Sequence, residues 1–508
     1  MLQRTLFFLI ILLITSLSHS ISQTISDSSL LTNDGELKGL VLDMKKQTPL
    51  PYANIFVLHK DVGVISNEQG QYAIDISGLE LTDTLRFQYI GYKTKNVVIG
   101  RLVKSPNVFM KEDIINLSET LIFGDAPDPE SIVKKVLKNK DKNYIKTASK
   151  DKTFIRERYI SDLDELEFNE KKNDFAELGN GFVQDLQKKI PKKSISYMDF
   201  LGYLYFSGNK DDSVTFKVDP VRAVELKDKN IAEVNEMISV FDNMFQDTKE
   251  KEYWKVKSGI FGHKIENDKE DTISKKENLK DDEKRTELFA KRQKYNLRYG
   301  TLDDKDDWEF LYKTGKYVYT LAGGTTVNGE EVYIIDFKPD GSGMFTGRMY
   351  ISLETYALIK ADYEYAEGKS GADFHLLGVG YTENAFKGSI YFEKKGDKYV
   401  LKYFSKKAGS YASFDRNIVL MKKRKRFLFD KTLNEIKVGI NLKVKSEQSI
   451  EVLVLNSEII SGKQFADFKQ KDKMKIIYVD QFDDRLWKGY SIIEPIEEMR
   501  SYKKRETD

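Results

Sequence analysis

The run GVISNEQGQYAI, from Gly63 to Ile74, is the most informative stretch of the N-terminal region. Gly70 can adopt the left-handed backbone conformation, so Asn67–Gly70 is typical of a tight turn. Gln71–Ile74 then resumes the pattern of a strand. The run therefore predicts two short strands that are joined by a turn.

Short apolar runs separated by turn residues continue on both sides, across residues 36–115, which is the pattern of a small all-β domain. On the N-terminal side, a strand over Tyr52–Val57 follows Pro49 and Pro51. Prolines are tolerated at the start of a strand but not in its middle. On the C-terminal side, Leu85–Ile90 alternates apolar and polar residues for most of its length, which predicts a further strand.

Four spaced motifs in this region resemble those of the carboxypeptidase regulatory-like domain, which is found at the N-terminus of many Gram-negative envelope proteins. They are Gly39-x-Val41-x-Asp43, Pro49–Ile55, Gly63–Tyr72 and Leu85-x-Phe87-x-Tyr89-Ile90-Gly91-Tyr92. The resemblance implies a seven-stranded, prealbumin-like sandwich that is a non-catalytic module, and we assign residues 36–124 to it. In that family the domain often precedes an outer-membrane transport barrel. This chain has no recognisable plug and is too short for a barrel of about 22 strands.

The N-terminus has the three-part layout of a secretory signal peptide. A basic residue precedes the unbroken apolar run Leu6–Ile14, and small and polar residues follow it. The run is shorter than the roughly 20 residues that a transmembrane helix needs. We expect residues 1–22 to be the signal peptide and residues 23–35 to be a flexible leader. A retained N-terminal anchor is the alternative, but no polar flank of the stop-transfer kind follows the run.

Composition excludes several chemistries. The chain has no cysteine, which excludes disulfides, thiolate metal sites, a cysteine nucleophile and a lipidated cysteine. Its 82 basic and 80 acidic residues nearly cancel and are spread along the chain, whereas a nucleic-acid-binding protein concentrates its basic residues in a patch. The dense basic run is Lys422–Arg426. We interpret it as a solvated strand edge, because Phe427–Phe429 resembles the start of a strand; a polyanion site is the alternative.

Residues 125–262 predict a mixed α/β connector. Asp128 suits the N-cap and Pro129 the first position of a helix whose apolar residues fall at helical spacing. A second amphipathic helix is predicted over residues 230–246. Residues 263–294 are dominated by charged residues, which predicts a mobile surface insertion that ends in a short helix.

Residues 295–500 predict successive antiparallel strands, and residues 501–508 a tail. Val327–Glu330 is the clearest hairpin turn, because its Asn-Gly pair suits the positive φ angles of a type I′ turn. Phe345–Ile351 and Ala357–Lys360 resemble a hairpin of periplasmic lipoprotein-carrier folds, in which the sheet wraps an apolar cavity. The expected fold is mainly β with some α: an N-terminal seven-stranded sandwich, a helical connector, and a large C-terminal antiparallel sheet or half-open barrel.

One arrangement of histidines resembles a metal site. His263-x-x-Glu266 with a distant His375 is similar to the ligand pattern of zinc carboxypeptidases. The glycine-rich and aromatic surroundings of that motif are absent, and Glu266 begins the most charged stretch of the chain, so we predict no catalytic, cofactor-binding or metal-binding residue.

Asp303–Asp307 could offer oxygen ligands to calcium, but it lacks the Gly and final Glu of an EF-hand loop and is interpreted as a solvated turn.

The sequence thus favours a non-enzymatic, exported envelope protein that binds or scaffolds, built on a carboxypeptidase regulatory-like domain. Its partner would be an envelope protein, a glycan or an apolar ligand, with no cofactor and no nucleic acid. One alternative is a periplasmic carrier or sensor, which requires an apolar cavity of several hundred Å³. The other is a metallo-carboxypeptidase-like hydrolase, which requires His263, Glu266 and His375 to converge. We expect a periplasmic or outer-membrane-associated location in a Gram-negative envelope, and peripheral association with the outer membrane stays open.

Overall fold

The computed structural model describes residues 35–60, 62–113, 127–208, 216–227, 240, 244–245, 248–249, 251–259, 261–265, 283–487, 490 and 492–500. The predicted signal peptide, almost all of the leader and most of the predicted helix at residues 230–246 lie outside these ranges, as do residues 266–282 of the predicted insertion. Within the described residues, no helix has the length and apolar character needed to cross a membrane.

The N-terminal region is a sandwich of seven strands in two sheets, which confirms the predicted fold. The strands are β1 (Glu36–Asp43), β2 (Asn54–Val57), β3 (Gly63–Ile65), β4 (Gln71–Asp75), β5 (Thr84–Gln88), β6 (Lys95–Val98) and β7 (Val108–Met110), and helix α1 (Ile99–Leu102) lies between β6 and β7. The three-stranded sheet has the order β4-β1-β7, and the four-stranded sheet has the order β3-β2-β5-β6. The core contains Leu37, Val41, Ile55, Tyr72, Leu85 and Phe87, all almost fully buried.

The predicted turn between β3 and β4 is confirmed. Gly70 has a φ of 71°, and a Cβ there would lie 2.7 Å from the carbonyl oxygen of Val41. The side chain of Asn67 accepts hydrogen bonds from the backbone N–H groups of Gln69 and Gln71, at 2.9 and 3.0 Å. Glycine is therefore required both by the backbone angle and by the close approach of β1.

The first predicted helix is also confirmed, as α2 (Pro129–Asn143). The side chain of Asp128 caps it by accepting a hydrogen bond from the backbone N–H of Ser131, at 2.9 Å. Proline occupies the first turn, where a missing N–H costs nothing. The apolar face of α2 is buried in the core of the large sheet through Ile132, Val133 and Val136.

Among the described residues, fourteen strands form one large sheet. They are β8 (Ser149–Asn173), β9 (Lys193–Phe206), β10 (Phe216–Lys227), β11 (Glu252–Ser258), β12 (Phe261–Ile265), β14 (Tyr317–Val327), β15 (Glu330–Pro339), β16 (Phe345–Ser352), β17 (Leu358–Tyr365), β18 (Asp373–Leu376), β19 (Val379–Lys395), β20 (Lys398–Arg424), β21 (Lys431–Ile459) and β23 (Ile477–Val479). Two further strands, β13 (Glu283–Arg285) and β22 (Lys473–Lys475), pair separately.

The order along the large sheet is β14-β15-β16-β17-β19-β20-β21-β8-β9-β10-β23, with β18 beside β19 and with β11 between β20 and β12. Because β14 and β23 lie at opposite ends of this order, the described strands form an open sheet that is not closed into a barrel. All pairs on the path are antiparallel except β10 with β23. The predicted hairpin turn at Asn328-Gly329 is present between β14 and β15, with φ angles of 50° and 86°.

Three strands are much longer than the usual 3–10 residues. Strands β8, β20 and β21 contain 25, 27 and 29 residues. At about 3.3 Å per residue, the β20–β21 hairpin follows a path of about 90 Å. Helix α3 (Phe182–Lys189) lies against β8. Its residues Val183 and Leu186 pack into apolar clusters in the half of these strands that is nearer the turn between β20 and β21.

Helices pack against the part of the sheet that includes β15, β16 and β17, and they complete the largest core. They are α2, α4 (Thr286–Leu297) and α5 (Glu309–Tyr312); α6 (Gly462–Asp467) and α7 (Glu497–Arg500) follow β21. Short 3₁₀ turns lie at Ala176–Leu178, Arg298–Gly300, Thr314–Lys316 and Asp484–Trp487. Helix α4 corresponds to the short helix predicted at the end of the charged segment.

The region predicted as a connector, residues 125–262, supplies strands to the same sheet as residues 295–500. Strand β8 pairs with β21 along its whole length, with Ser149 opposite Ile459 and Asn173 opposite Ile436. These partners lie about 260 to 310 residues apart in the chain, so no local pattern can reveal their pairing. The division of the chain into domains at these boundaries stays a prediction.

Candidate functional site

Two described parts of the C-terminal segment, Trp487 and residues 492–496, lie between the sandwich and the large sheet. Ile493 forms a parallel bridge with Ile65 of the sandwich. Its carbonyl oxygen accepts a hydrogen bond of 3.0 Å from the Arg156 side chain of β8. Trp487 packs edge-on against Phe154 of β8, with 5.5 Å between the ring centroids. The segment therefore connects the two sheets, and we call this contact region the junction.

A buried ion pair occupies the junction. Arg156 and Asp199 lie directly opposite each other on β8 and β9. Arg156 Nε and Nη2 donate to the two carboxylate oxygens of Asp199 at 2.8 and 2.7 Å, and the two side chains are only 4% and 1% exposed. Because Nη1 donates to the carbonyl oxygen of Ile493, one planar guanidinium group holds β8, β9 and the C-terminal segment together.

Aromatic side chains add to the junction from both sides. Tyr52 of the sandwich stacks on Tyr403 of β20, with 4.3 Å between ring centroids. Tyr89 of the sandwich accepts a hydrogen bond of 3.3 Å from the Lys360 ammonium, which also lies 4.4 Å from the centre of that ring. Lys360 is almost fully buried and is paired with Asp362 at 2.9 Å. The sandwich is thus held by both apolar and charged contacts.

Glu451 of β21 is a carboxyl group in the junction whose pKa is raised. Burial, together with the nearby Glu68 carboxylate, raises its pKa to about 7 against the opposing effect of Arg156 and Arg158. Such a pKa would suit a general acid or base. The carboxyl group is buried, however, since Glu451 is only 9% exposed. Its raised pKa therefore bears on how stability depends on pH.

A shallow pocket opens beside the Asn328-Gly329 hairpin. Its volume is about 210 Å³, and its lining includes Asn328, Glu330, Tyr391, Lys394 and Tyr399. The Glu330 carboxylate accepts hydrogen bonds from the hydroxyl groups of Ser352 and Tyr399. Ligand pockets usually measure about 300–1,000 Å³. This pocket is therefore smaller and more polar than the cavity that the carrier hypothesis requires.

Packed aromatic side chains occupy the face where the carrier hypothesis requires an open cavity. Trp308 and Phe310 are completely buried. Phe310 stacks on Phe337 of β15 at 4.3 Å and contacts Tyr363 of β17 at 5.0 Å. In this part of the described chain, the C-terminal strands bury their apolar side chains against α2, α4 and α5.

The structure places the two histidines of the zinc hypothesis far apart. His263 lies on β12, two strands away from Leu420 of β20. His375 lies on β18, two strands away from Ser413 of β20 on the same side. Seven residues along a strand correspond to about 23 Å. Glu266 lies outside the described residues, and no cluster of three metal-ligating side chains occurs among those that are described.

The acidic run Asp303–Asp307 is used within the fold. Asp303, Asp306 and Asp307 form ion pairs with Lys140, Lys313 and Arg298, respectively. The Asp304 side chain accepts hydrogen bonds from the backbone N–H groups of Asp306 and Asp307, at 2.9 and 3.1 Å. These contacts are those of a turn, as the sequence predicts.

The end of the β20–β21 hairpin corrects one interpretation of the sequence. Phe427–Phe429 is not the start of a strand, because the last paired residues are Arg424 and Lys431 and the chain between them is a loop. Phe427, Leu428 and Phe429 are 101%, 79% and 86% exposed. We call residues 425–430 the hairpin tip. The basic run and the apolar triplet were visible in the sequence, but their position at a turn was not.

The hairpin tip is held at its base. The backbone N–H of Lys425 donates to the carbonyl of Lys251 at 2.8 Å. The Tyr253 hydroxyl donates to the Asp430 carboxylate at 2.5 Å, and the backbone N–H of Arg426 donates to the same carboxylate at 3.3 Å. The bond from Tyr253 holds the pKa of Asp430 below its ordinary value, so the carboxylate stays ionised. The loop therefore presents its apolar side chains from an anchored base.

A second exposed apolar hairpin provides a comparison. In the β18–β19 hairpin, Phe374, Leu376 and Leu377 are 50%, 68% and 56% exposed. Its neighbours include Asp373, whereas five consecutive basic residues directly precede Phe427–Phe429. The two hairpins thus present similar apolar groups beside different charged residues.

Comparisons with known proteins identify one part of the chain. Residues 37–122 match the model of the CarboxypepD_reg-like domain. This match confirms the carboxypeptidase regulatory-like domain in that region. The comparison with curated proteins found no match.

Solved structures give a weak likeness in fold. The chain is similar to a domain described as an outer-membrane lipoprotein-sorting protein from Vibrio parahaemolyticus, at 8% identity over 66% of this chain and 97% of that one, with a TM-score of 0.19. A LolA superfamily protein from Nitrosomonas europaea matches at 9% identity over 67% and 98%, with a TM-score of 0.17. The Pseudomonas aeruginosa MucA/MucB complex matches at 7% over 62% and 94%, with a TM-score of 0.17.

Proposed function

We propose that this chain is a non-catalytic binding protein of the bacterial cell envelope, periplasmic or associated with the outer membrane. The observation that carries the proposal is the hairpin tip, where an anchored loop exposes Phe427, Leu428 and Phe429 to solvent. Large apolar side chains that are exposed together typically mark an interaction site. The regulatory-like domain supports the proposal, because the resemblance implies a non-catalytic module, and the predicted signal peptide supports export.

In this proposal the rest of the protein is a scaffold. In the junction, Tyr52 of the sandwich stacks on Tyr403, near one end of the β20–β21 hairpin, and Arg156 of the neighbouring strand β8 binds the C-terminal segment. Phe427 follows Tyr403 by 24 residues, which is about 80 Å of strand. The long paired strands therefore act as a spacer that holds the binding tip away from the sandwich.

A non-catalytic role is supported by the surroundings of the titratable groups. Glu451 has a pKa near neutrality, but its side chain is buried. His263 and His375 lie about 23 Å apart along the sheet, too far to share a metal ion. A purified chain that hydrolyses peptides or esters in a broad substrate panel would contradict this part of the proposal.

Co-sedimentation with washed envelope membranes tests the binding role of the tip. The full mature chain should bind, and the triple variant Phe427→Ser/Leu428→Ser/Phe429→Ser should bind at least about tenfold less, because it loses three apolar side chains worth roughly 1.5–3 kcal/mol each on full burial. The matched control is Phe374→Ser/Leu376→Ser/Leu377→Ser. If the tip variant binds as the wild type does, or if only the control loses binding, the proposal fails.

A further inference from the structure

We infer that the hairpin tip docks on a lipid bilayer with an anionic surface, inserting Phe427, Leu428 and Phe429 between the headgroups. This inference rests on the proposed function and names the partner of the same tip. The juxtaposition that carries it is an exposed apolar triplet at the end of the β20–β21 hairpin, directly after a run of five basic residues.

The apolar part of the tip has the shape for insertion. The three side chains project from a convex loop instead of lining a groove, and the exposed fraction of each is at least 79%. Phe429 is followed by Asp430, whose bonds to Tyr253 and to the Arg426 backbone fix the base of the loop. Because the loop is anchored before binding, insertion orders little additional chain, which lowers the entropic cost.

The charges around the triplet complement an anionic surface. Six cations, Lys422, Lys423, Arg424, Lys425, Arg426 and Lys431, lie within five residues of the triplet, and two carboxylates, Glu252 and Asp430, lie among them. Glu252 pairs with Lys422 at 3.5 Å and with Arg424 at 2.6 Å. Six cations against two carboxylates leave a net charge of four positive among the groups in and beside the tip. Basic groups next to inserted apolar side chains are the combination that stabilises peripheral proteins on anionic lipids.

A protein groove is the competing partner, and the size of the patch argues against it. A specific protein interface buries about 800 Å² on each partner. Three side chains of this kind can bury at most about 600 Å², taking about 200 Å² for each large apolar group. A bilayer needs no shape complementarity and accepts a small convex patch, so the lipid surface fits better.

Vesicle binding by the full mature chain tests the inference directly. We expect binding to vesicles of equimolar phosphatidylcholine and phosphatidylglycerol and much weaker binding to phosphatidylcholine alone. Raising the salt from about 0.1 to about 1 M, which shortens the Debye length from about 10 to about 3 Å, should weaken the binding. The Lys423→Gln/Lys425→Gln/Arg426→Gln variant should lower the partition coefficient about tenfold or more on the anionic vesicles.

The apolar contribution is tested separately. The Phe427→Ser/Leu428→Ser/Phe429→Ser variant should lower the partition coefficient about 50-fold, which corresponds to about 2.4 kcal/mol at 1.4 kcal/mol per tenfold change. The Phe374→Ser/Leu376→Ser/Leu377→Ser control should bind as the wild type does. A Leu428→Trp variant should show a blue-shifted emission that brominated lipids quench, whereas a Leu376→Trp variant should not.

The possible results separate the lipid inference from the proposed function. If anionic vesicles are not bound while envelope membranes still bind in a tip-dependent manner, the partner is a protein or a glycan and the lipid inference is overturned. If neither is bound, the proposed function fails as well. Equal binding to both kinds of vesicle, or an unchanged emission of Leu428→Trp, would also overturn the inference. Far-ultraviolet circular dichroism of each variant checks that the fold is intact.

Discussion

The Arg156–Asp199 pair permits a quantitative test of the junction. Arg156→Met removes both hydrogen bonds to Asp199, at 2.8 and 2.7 Å, and the 3.0 Å bond to the carbonyl of Ile493. The Asp199 carboxylate, only 1% exposed, is then left buried without a counter-charge. Breaking a buried pair in this way costs about 3–5 kcal/mol. We therefore expect the free energy of unfolding to fall by about 4 kcal/mol.

Two further variants identify the source of that loss. Asp199→Leu combined with Arg156→Met removes both charges, so the double variant should recover most of the stability, because a buried ion pair and an apolar pair of similar size are nearly equivalent. Arg156→Lys keeps the charge but loses the planar fork, and it should cost about 1–2 kcal/mol. The pair should thus show a coupling energy of several kcal/mol in a double-mutant cycle.

Urea unfolding, followed by tryptophan fluorescence and by circular dichroism, measures these differences. Trp487 lies in the junction, so its emission reports on the same contact. The matched control is Lys445→Met, which breaks an exposed cross-strand pair with Asp164 and should cost no more than about 1 kcal/mol. An Arg156→Met variant that loses less than about 1 kcal/mol, or a double variant as unstable as the single one, would refute the reasoning.

Three other substitutions have defined outcomes. Burial raises the pKa of Glu451 to about 7 from an ordinary value of 4.5, so the folded protein holds a proton that the unfolded chain has released between these values. Stability should therefore fall by up to about 3 kcal/mol as the pH rises from about 4.5 to about 7, and Glu451→Gln should flatten that slope in urea curves recorded across this range. Gly329→Ala should cost about 1 kcal/mol in thermal unfolding, because the φ of 86° is unfavourable for alanine although the space is open; Gly315→Ala, in equally open space without a positive φ, should be neutral. Tyr52→Ala removes the ring stacked on Tyr403 and should cost about 3 kcal/mol, which limited proteolysis would detect as faster release of the sandwich.

The parts of the fold that the sequence predicts are those built from neighbouring residues. The turn at Gly70, the cap at Asp128 and the hairpin at Asn328-Gly329 each depend on a few residues with special backbone or hydrogen-bonding properties. The pairing of β8 with β21 has no such local origin. Its strand sequence is rich in charge, and its partner lies some 260 to 310 residues away.

The junction illustrates the same limit for side chains. Arg156 begins the charged run Arg156-Glu157-Arg158, whereas Asp199 lies between the apolar residues Met198 and Phe200. Neither pattern shows which residue pairs with the charge. The two side chains become buried only when the sandwich and the C-terminal segment cover them. The partner strand and the segment that covers the pair are both distant in the chain, so the ion pair could not be predicted.

The hairpin tip follows from the same long-range pairings. A basic run followed by three apolar residues is compatible with a strand or with a loop, and the neighbouring strands decide between them. Strand β8 ends opposite Ile436, and β11 covers β20 only as far as Arg424. Neither strand extends alongside residues 425–430, so the apolar side chains that would be half-buried in a sheet stand fully in water. The exposure that suits these residues to bind a membrane is therefore a consequence of where β8 and β11 end.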